Sequence, residues 1–76
     1  MSEFTSSKPR ELLEFHEVIN EFRSQTVDAE RIVVVFKDSS SIVLPRSAHD
    51  ALKQLKIGQR IAILRISEDS IVVRRA

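Results

Sequence analysis

The two histidines are the residues with the most scope for chemistry in this chain of 76 residues. His16 begins the run His16-Glu17-Val18-Ile19-Asn20, which starts like the helical zinc-protease motif. That motif needs a second imidazole one helical turn later, and Asn20 stands in its place. His49 has no other histidine near it, and the chain has no cysteine. The residue types therefore predict no metal site.

Catalysis by paired side chains is also disfavoured. Without cysteine, and with Gly58 as the one glycine, the chain offers neither a thiol nucleophile nor a glycine-rich phosphate loop. Glutamates at positions 11, 14, 17 and 21 fall on the polar side of a predicted helix. An acid–base pair would need one carboxyl in an apolar pocket, so a solvated face explains them better. We predict a protein that is not an enzyme and holds no cofactor.

The middle of the chain carries the clearest structural pattern. The run Ile42-Val43-Leu44 stops at Pro45, which lacks an amide hydrogen and cannot continue a sheet ladder. Ser47 and Asp50 match a capping box that opens a short helix. Gly58 stands where this helix must turn into the next strand, which predicts a positive φ there.

The other elements follow from hydrophobic periodicity. An amphipathic helix is predicted over residues 8–25 by apolar side chains at helical spacing: Leu12, Phe15, Ile19 and Phe22. It follows a disordered tail over 1–7 and precedes a linker over 26–31. Strands are predicted by β-branched runs over four ranges, 32–37, 41–44, 60–66 and 71–75. The expected fold is α+β and mostly β, an N-terminal helix followed by β-β-α-β-β.

Size, hydropathy and charge bound the class of protein. A chain this short, without disulfides, has a core of marginal stability, so we expect a homodimer. No apolar run is long enough to cross a membrane and no signal peptide is present, so a soluble cytoplasmic protein is expected. Acids predominate in residues 1–30 and bases in residues 31–76. Three interpretations of this asymmetry are open: the basic part meets nucleic acid, it docks against the acidic helix, or both charged faces are merely solvated.

Residues 32–76 resemble the AbrB/SpoVT/MazE group of swapped-hairpin DNA-binding domains. The matching segments are Ile42-Val43-Leu44-Pro45, Ala51-Leu52, Leu55, Gly58, Arg60-Ile61 and Ile71-Val72-Val73-Arg74. The resemblance implies a small β-barrel of swapped-hairpin type, an intertwined homodimer, and a transcription regulator or antitoxin that binds double-stranded DNA. The candidate phosphate contacts are Arg31, Lys37, Arg46 and His49.

Two other functions remain open. The barrel would scaffold a dimer while the helix over 8–25 binds a protein partner, or the small barrel would bind RNA. Proteins that bind single-stranded nucleic acid use aromatic side chains interleaved with basic residues, and the predicted β-strands lack that pattern. Binding to duplex DNA, measured at two salt concentrations, separates the regulator from the interaction module.

Overall fold

The computed structural model describes residues 9–76, which form an open, mixed sheet of six strands with a short helical segment in the middle. The strands are β1 (Arg10–Glu11), β2 (Glu17–Val27), β3 (Arg31–Phe36), β4 (Ser41–Pro45), β5 (Arg60–Arg65) and β6 (Ile71–Arg75). A 3₁₀ turn (Arg46–Ala48) leads into helix α1 (His49–Leu52) between β4 and β5. The strand order is β1-β4-β3-β2-β5-β6, with β1 parallel to β4 and all other neighbours antiparallel.

The predicted helix over residues 8–25 is wrong. Residues 9–25 hold β1, a turn and most of β2. A helix would bury Leu12, Phe15, Ile19 and Phe22 together, but Phe15 is 77% exposed and Ile19 is 49% exposed. Residues 17–27 are rich in β-branched side chains and pair with a strand on each edge, and this tertiary pairing outweighs local periodicity. The predicted tail over 1–7 lies outside the described residues, and the predicted linker over 26–31 contributes to two strands.

Strand β2 joins the two halves of the sheet. Residues 17–21 pair with β5, and residues 22–27 pair with β3. The register shifts between Phe22 and Ser24, which leaves Arg23 as a bulge, and a bulge bends its strand. The buried side chains of both halves consequently form one core: Ile32, Val34, Phe36, Ile42 and Leu44 from one half, with Ile61 and Ile63 from the other.

The swapped-hairpin barrel is also wrong as a description of this fold. The hairpins β3–β4 and β5–β6 both pair with β2 of the same chain, so the core forms without an exchange of hairpins. The four strands predicted within residues 32–76 nevertheless agree with β3 to β6 to within one residue at each end. On β3, Ile32 and Val34 are buried while Val33 and Val35 stay half-buried on the outer face.

The central helical segment covers one edge of the core. Leu52 is fully buried, and its carbonyl accepts a hydrogen bond from the side-chain amide of Gln25 at 3.0 Å. The predicted capping box is not formed, because Ser47 donates to the carbonyl of Asp69 at 3.4 Å and Asp50 pairs with Lys53 at 3.2 Å. No helix within residues 9–76 is long and apolar enough to cross a membrane.

Candidate nucleic-acid interface

The four residues predicted to contact nucleic acid do not share one surface. Arg31 begins β3 and lies opposite Pro45 in the register, next to Arg46. Lys37 follows the far end of β3. At about 3.3 Å per residue, the strand separates Arg31 from Lys37 by roughly 20 Å.

Arg46 and His49 lie at the same end as Arg31. The Arg46 guanidinium donates to the carbonyl of Asp28 at 3.2 Å, which ties the 3₁₀ turn to the connection between β2 and β3. His49 is half-buried at the start of α1, and its carbonyl accepts the amide of Lys53 at 2.9 Å. The structure therefore groups three of the predicted residues and leaves Lys37 apart.

The end that holds Arg31 and Arg46 is acidic. It is formed by residues 11–14, 28–31, 45–47 and 65–69, most of which line a cleft of about 570 Å³. These segments carry six acidic and three basic side chains: Glu11, Glu14, Asp28, Glu30, Glu68 and Asp69, with Arg31, Arg46 and Arg65. We call this region the acidic end. It is a poor place for contacts with phosphate, because its carboxylates repel the same charge.

Arg65 holds the acidic end together, although it was not among the residues predicted to form a site. Its guanidinium donates to the carbonyls of Leu12 at 2.8 Å, Ser67 at 3.1 Å and Glu68 at 2.9 Å. Three fixed partners leave this half-buried side chain little capacity for an external anion. No local pattern pointed to the role, since Leu12 is 53 residues away in the sequence.

At the opposite end, the loop after α1 lies against the bulge of β2. The amide of Phe22 donates to the carbonyl of Gln59 at 2.8 Å, and the amide of Gly58 donates to the carbonyl of Phe22 at 2.9 Å. Gly58 has a φ of +89°, which confirms the prediction of a positive value at this turn. The conformation brings Lys56 and Arg60 close to Arg23.

Two further segments meet at the same place. The amide of Lys37 donates to the carbonyl of Glu21 at 2.9 Å, so the β3–β4 turn lies beside the middle of β2. The amide of Ala76 donates to the carbonyl of Arg60 at 3.1 Å, which fixes the end of β6 beside the start of β5. Four separate parts of the chain thus converge through backbone hydrogen bonds.

This convergence produces a basic surface, which we call the basic end. It carries six exposed basic side chains and two acidic ones: Arg23, Lys37, Lys56, Arg60, Arg74 and Arg75, with Glu21 and Asp38. Arg74 lies 3.7 Å from Glu17. Among residues 9–76, the other five bases form no ion pair. Of the predicted contacts, Lys37 alone belongs to this surface.

Asp38 is held in the β3–β4 turn by its own hydrogen bonds. Its carboxylate accepts the hydroxyl of Ser40 at 2.6 Å, the amide of Ser40 at 3.0 Å and the side-chain amide of Asn20 at 3.2 Å. These bonds, that of the Ser40 hydroxyl first, hold the pKa of Asp38 below its ordinary value of 3.8. The carboxylate is thus occupied by Ser40 of the turn and by Asn20 of β2.

Residues 9–76 contain no group of three or more His, Cys, Asp or Glu side chains that is able to hold a metal ion. No protein-family model, no curated protein and no solved structure matches the chain. The resemblance to the AbrB/SpoVT/MazE group therefore stays a prediction.

Proposed function

We propose that the protein is a non-enzymatic DNA-binding protein whose basic end contacts the phosphates of a duplex. The observation that carries the proposal is the convergence of six exposed basic side chains from separate parts of the chain on one end. Side chains that neutralise phosphates release condensed counterions, which favours binding. The acidic end, on the far side, would repel the duplex and thereby favour one orientation of the protein.

A duplex is favoured over a single strand because the basic end lacks an aromatic surface. Phe22 and Phe36, the aromatic residues nearest to it in the described chain, are both buried. Phe15 is exposed but lies beside Arg65, towards the acidic end. Proteins that bind single strands stack bases on exposed aromatic side chains. The lack of an exposed aromatic surface at the basic end therefore supports double-stranded DNA over single-stranded RNA as the proposed ligand.

The predicted role was that of a transcription regulator or antitoxin that binds DNA. Of this role, the proposal includes only the binding of DNA. Contacts to phosphates position a protein on DNA and carry no base-sequence information themselves. The predicted cytoplasmic location is compatible with such a ligand. The alternative in which an N-terminal helix captures a protein partner loses its basis, because residues 9–25 contain no helix.

Fluorescence anisotropy with a labelled duplex of random sequence tests the proposal. The logarithm of the association constant should fall with the logarithm of the salt concentration, with a slope of about −0.9 per phosphate contact. The double variant Arg60→Gln with Arg75→Gln should reduce that slope by about two and weaken all sequences alike.

The matched control removes the same charge from the acidic end. Arg31→Gln with Arg46→Gln should leave both affinity and slope close to those of the parent protein, once circular dichroism shows that it is folded. Equal losses in the two double variants, or no binding at about 50 mM salt, would contradict the proposal.

A further inference from the structure

The outer face of the β2–β5–β6 half carries apolar side chains that the core does not use. The register places Ile19 opposite Ala62, and Leu64 opposite Val72. None of these four residues belongs to the cluster of core side chains, although Ala62 is itself buried and Leu64 is half-buried. Ile19 is 49% exposed and Val72 is 39% exposed. We call these four residues the outer patch.

Phe15 and Ile66 extend the apolar surface beyond the end of β5. The amide of Phe15 donates to the carbonyl of Arg65 at 2.6 Å, which fixes Phe15 next to Ile66. Phe15 has a φ of +62°, which is uncommon for a bulky residue, and its side chain is 77% exposed. Strained residues cluster at functional sites, and aromatic side chains are common anchors of interfaces.

Charges of opposite sign border the outer patch on its two sides. Glu17 and Glu21 lie on β2, on the same face as Ile19 because side chains alternate along a strand. Arg74 lies on β6, directly opposite Ala62 on that face. Within one chain Glu17 and Arg74 lie 3.7 Å apart, so the acidic side chain of β2 and the basic side chain of β6 meet across β5. Ile19 and Val72 remain exposed beside this pair.

We propose that a second copy of this chain docks on the outer patch about a two-fold axis parallel to the strands. This axis lays β2 of one copy over β6 of the other, so that Glu17 of each copy approaches Arg74 of the other. A two-fold axis across the strands would instead lay β2 over β2 and oppose acid to acid. The charge pattern is therefore self-complementary in one arrangement, as a symmetric dimer requires.

The same axis keeps the basic ends of both copies on one side of the dimer. This consequence rests on the proposed function, because it matters only if the basic end binds DNA. Two adjacent basic ends would offer one duplex a second set of phosphate contacts from the basic residues other than Arg74, which lies in the interface. This second set would bind at a high effective concentration.

Sedimentation equilibrium without DNA tests the dimer independently of DNA binding. At about 100 µM, a concentration suited to the modest affinity of a small interface, we expect twice the chain mass of 8.7 kDa. Ile19→Ser with Val72→Ser should shift the protein to the chain mass. The matched control, Ile57→Ser, removes a side chain that is 81% exposed near the basic end and should leave the dimer intact.

A charge exchange tests the orientation of the two copies. Glu17→Arg and Arg74→Glu should each weaken self-association by tenfold or more, because each places like charges at both contacts between copies. Mixing these two variants should restore self-association in the form of a heterodimer. The contact of 3.7 Å between Glu17 and Arg74 within one chain stays broken in the mixture, so recovery can come only from contacts between chains.

A mass of 8.7 kDa for the parent protein under these conditions would overturn the proposal. Failure of the mixed variants to associate would overturn the arrangement about the axis, and dissociation by Ile57→Ser but not by the outer-patch variant would overturn the assigned surface. A dimer that does not bind DNA would refute the proposed function alone, and a monomer that binds DNA would refute the dimer alone.

Discussion

The basic end and the acidic end are joined in different ways. At the basic end, amides and carbonyls of Phe22, Gly58, Lys37 and Arg60 hold the segments together. At the acidic end, side chains also do so, and the guanidinium of Arg65 is the main link. Five of the six basic side chains at the basic end form no ion pair within residues 9–76, so their charges are available to a ligand. The guanidinium of Arg65 instead uses its hydrogen bonds within the protein.

This difference explains why overall charge says little about function here. The net charge of +1 is close to zero. Folding nevertheless separates the charges. Among residues 9–76, most exposed basic side chains lie at the basic end and most acidic side chains lie at the acidic end. The electric field of charges separated in this way orients a charged ligand, even when the net charge of the protein is close to zero.

The largest effect is expected from Arg65→Met, which removes the main joint of the acidic end. Three carbonyls lose a charged donor, so unfolding in urea should show a loss of about 2–3 kcal/mol. Arg23→Met is the matched control, because Arg23 is exposed at the bulge and should cost less than about 0.5 kcal/mol. Similar stabilities for the two variants would show that side-chain bonds do not hold the acidic end.

A smaller loss is expected from Gly58→Val at the basic end. A Cβ at this position would meet no atom within 4 Å, so the cost comes from the backbone at φ +89° and not from a clash. A β-branched residue is strained there, and we expect a loss of about 1–2 kcal/mol in urea unfolding. Gly58→Asn, which tolerates positive φ better, should lose less. A neutral Gly58→Val would contradict the assigned turn.

The smallest effect concerns the carboxylate of the β3–β4 turn. Ser40→Ala removes the strongest hydrogen bond to Asp38, so the pKa of Asp38 should rise towards its ordinary value of 3.8 in an NMR titration. Asn20→Ala should raise this pKa less, because its hydrogen bond contributes less. The reverse order would contradict the geometry of the turn.

The direction of the pH effect follows from the lowered pKa. Asp38 binds its proton less readily in the folded chain than in the unfolded chain, so it favours the folded state at pH above its unfolded value of 3.8. That contribution is lost as the pH falls through the lower, folded value. Ser40→Ala should reduce the difference and make unfolding less sensitive to pH in this acidic range.

Four of the strands were predictable because their signals are local. Dense β-branched runs bounded by polar turns mark β3, β4, β5 and β6, and Gly58 marks the turn before β5. Strand β2 was missed because Leu12, Phe15, Ile19 and Phe22 also fit a helical spacing. The β-branched residues of 17–27 were a competing signal, and pairing on both edges decided between the two.

The basic end was not predictable from spacing. Its residues come from four segments spread over residues 21–76, and what unites them is the bulge at Arg23 together with long-range backbone bonds. The predicted contacts Arg31 and Arg46 were reasonable by residue type, but the fold places them among carboxylates. Of the predicted contacts, Lys37 alone lies among the basic side chains of the basic end, which we propose to bind DNA.

Mapping amide chemical shifts while a short DNA duplex is titrated into the labelled protein tests whether the basic end binds DNA. We expect perturbations in residues 21–23, 37–40, 56–60 and 74–76, and shifts close to zero in residues 28–31 and 45–49. Perturbations that centre on residues 28–31 and 45–49 would place the DNA at the acidic end and contradict the assignment.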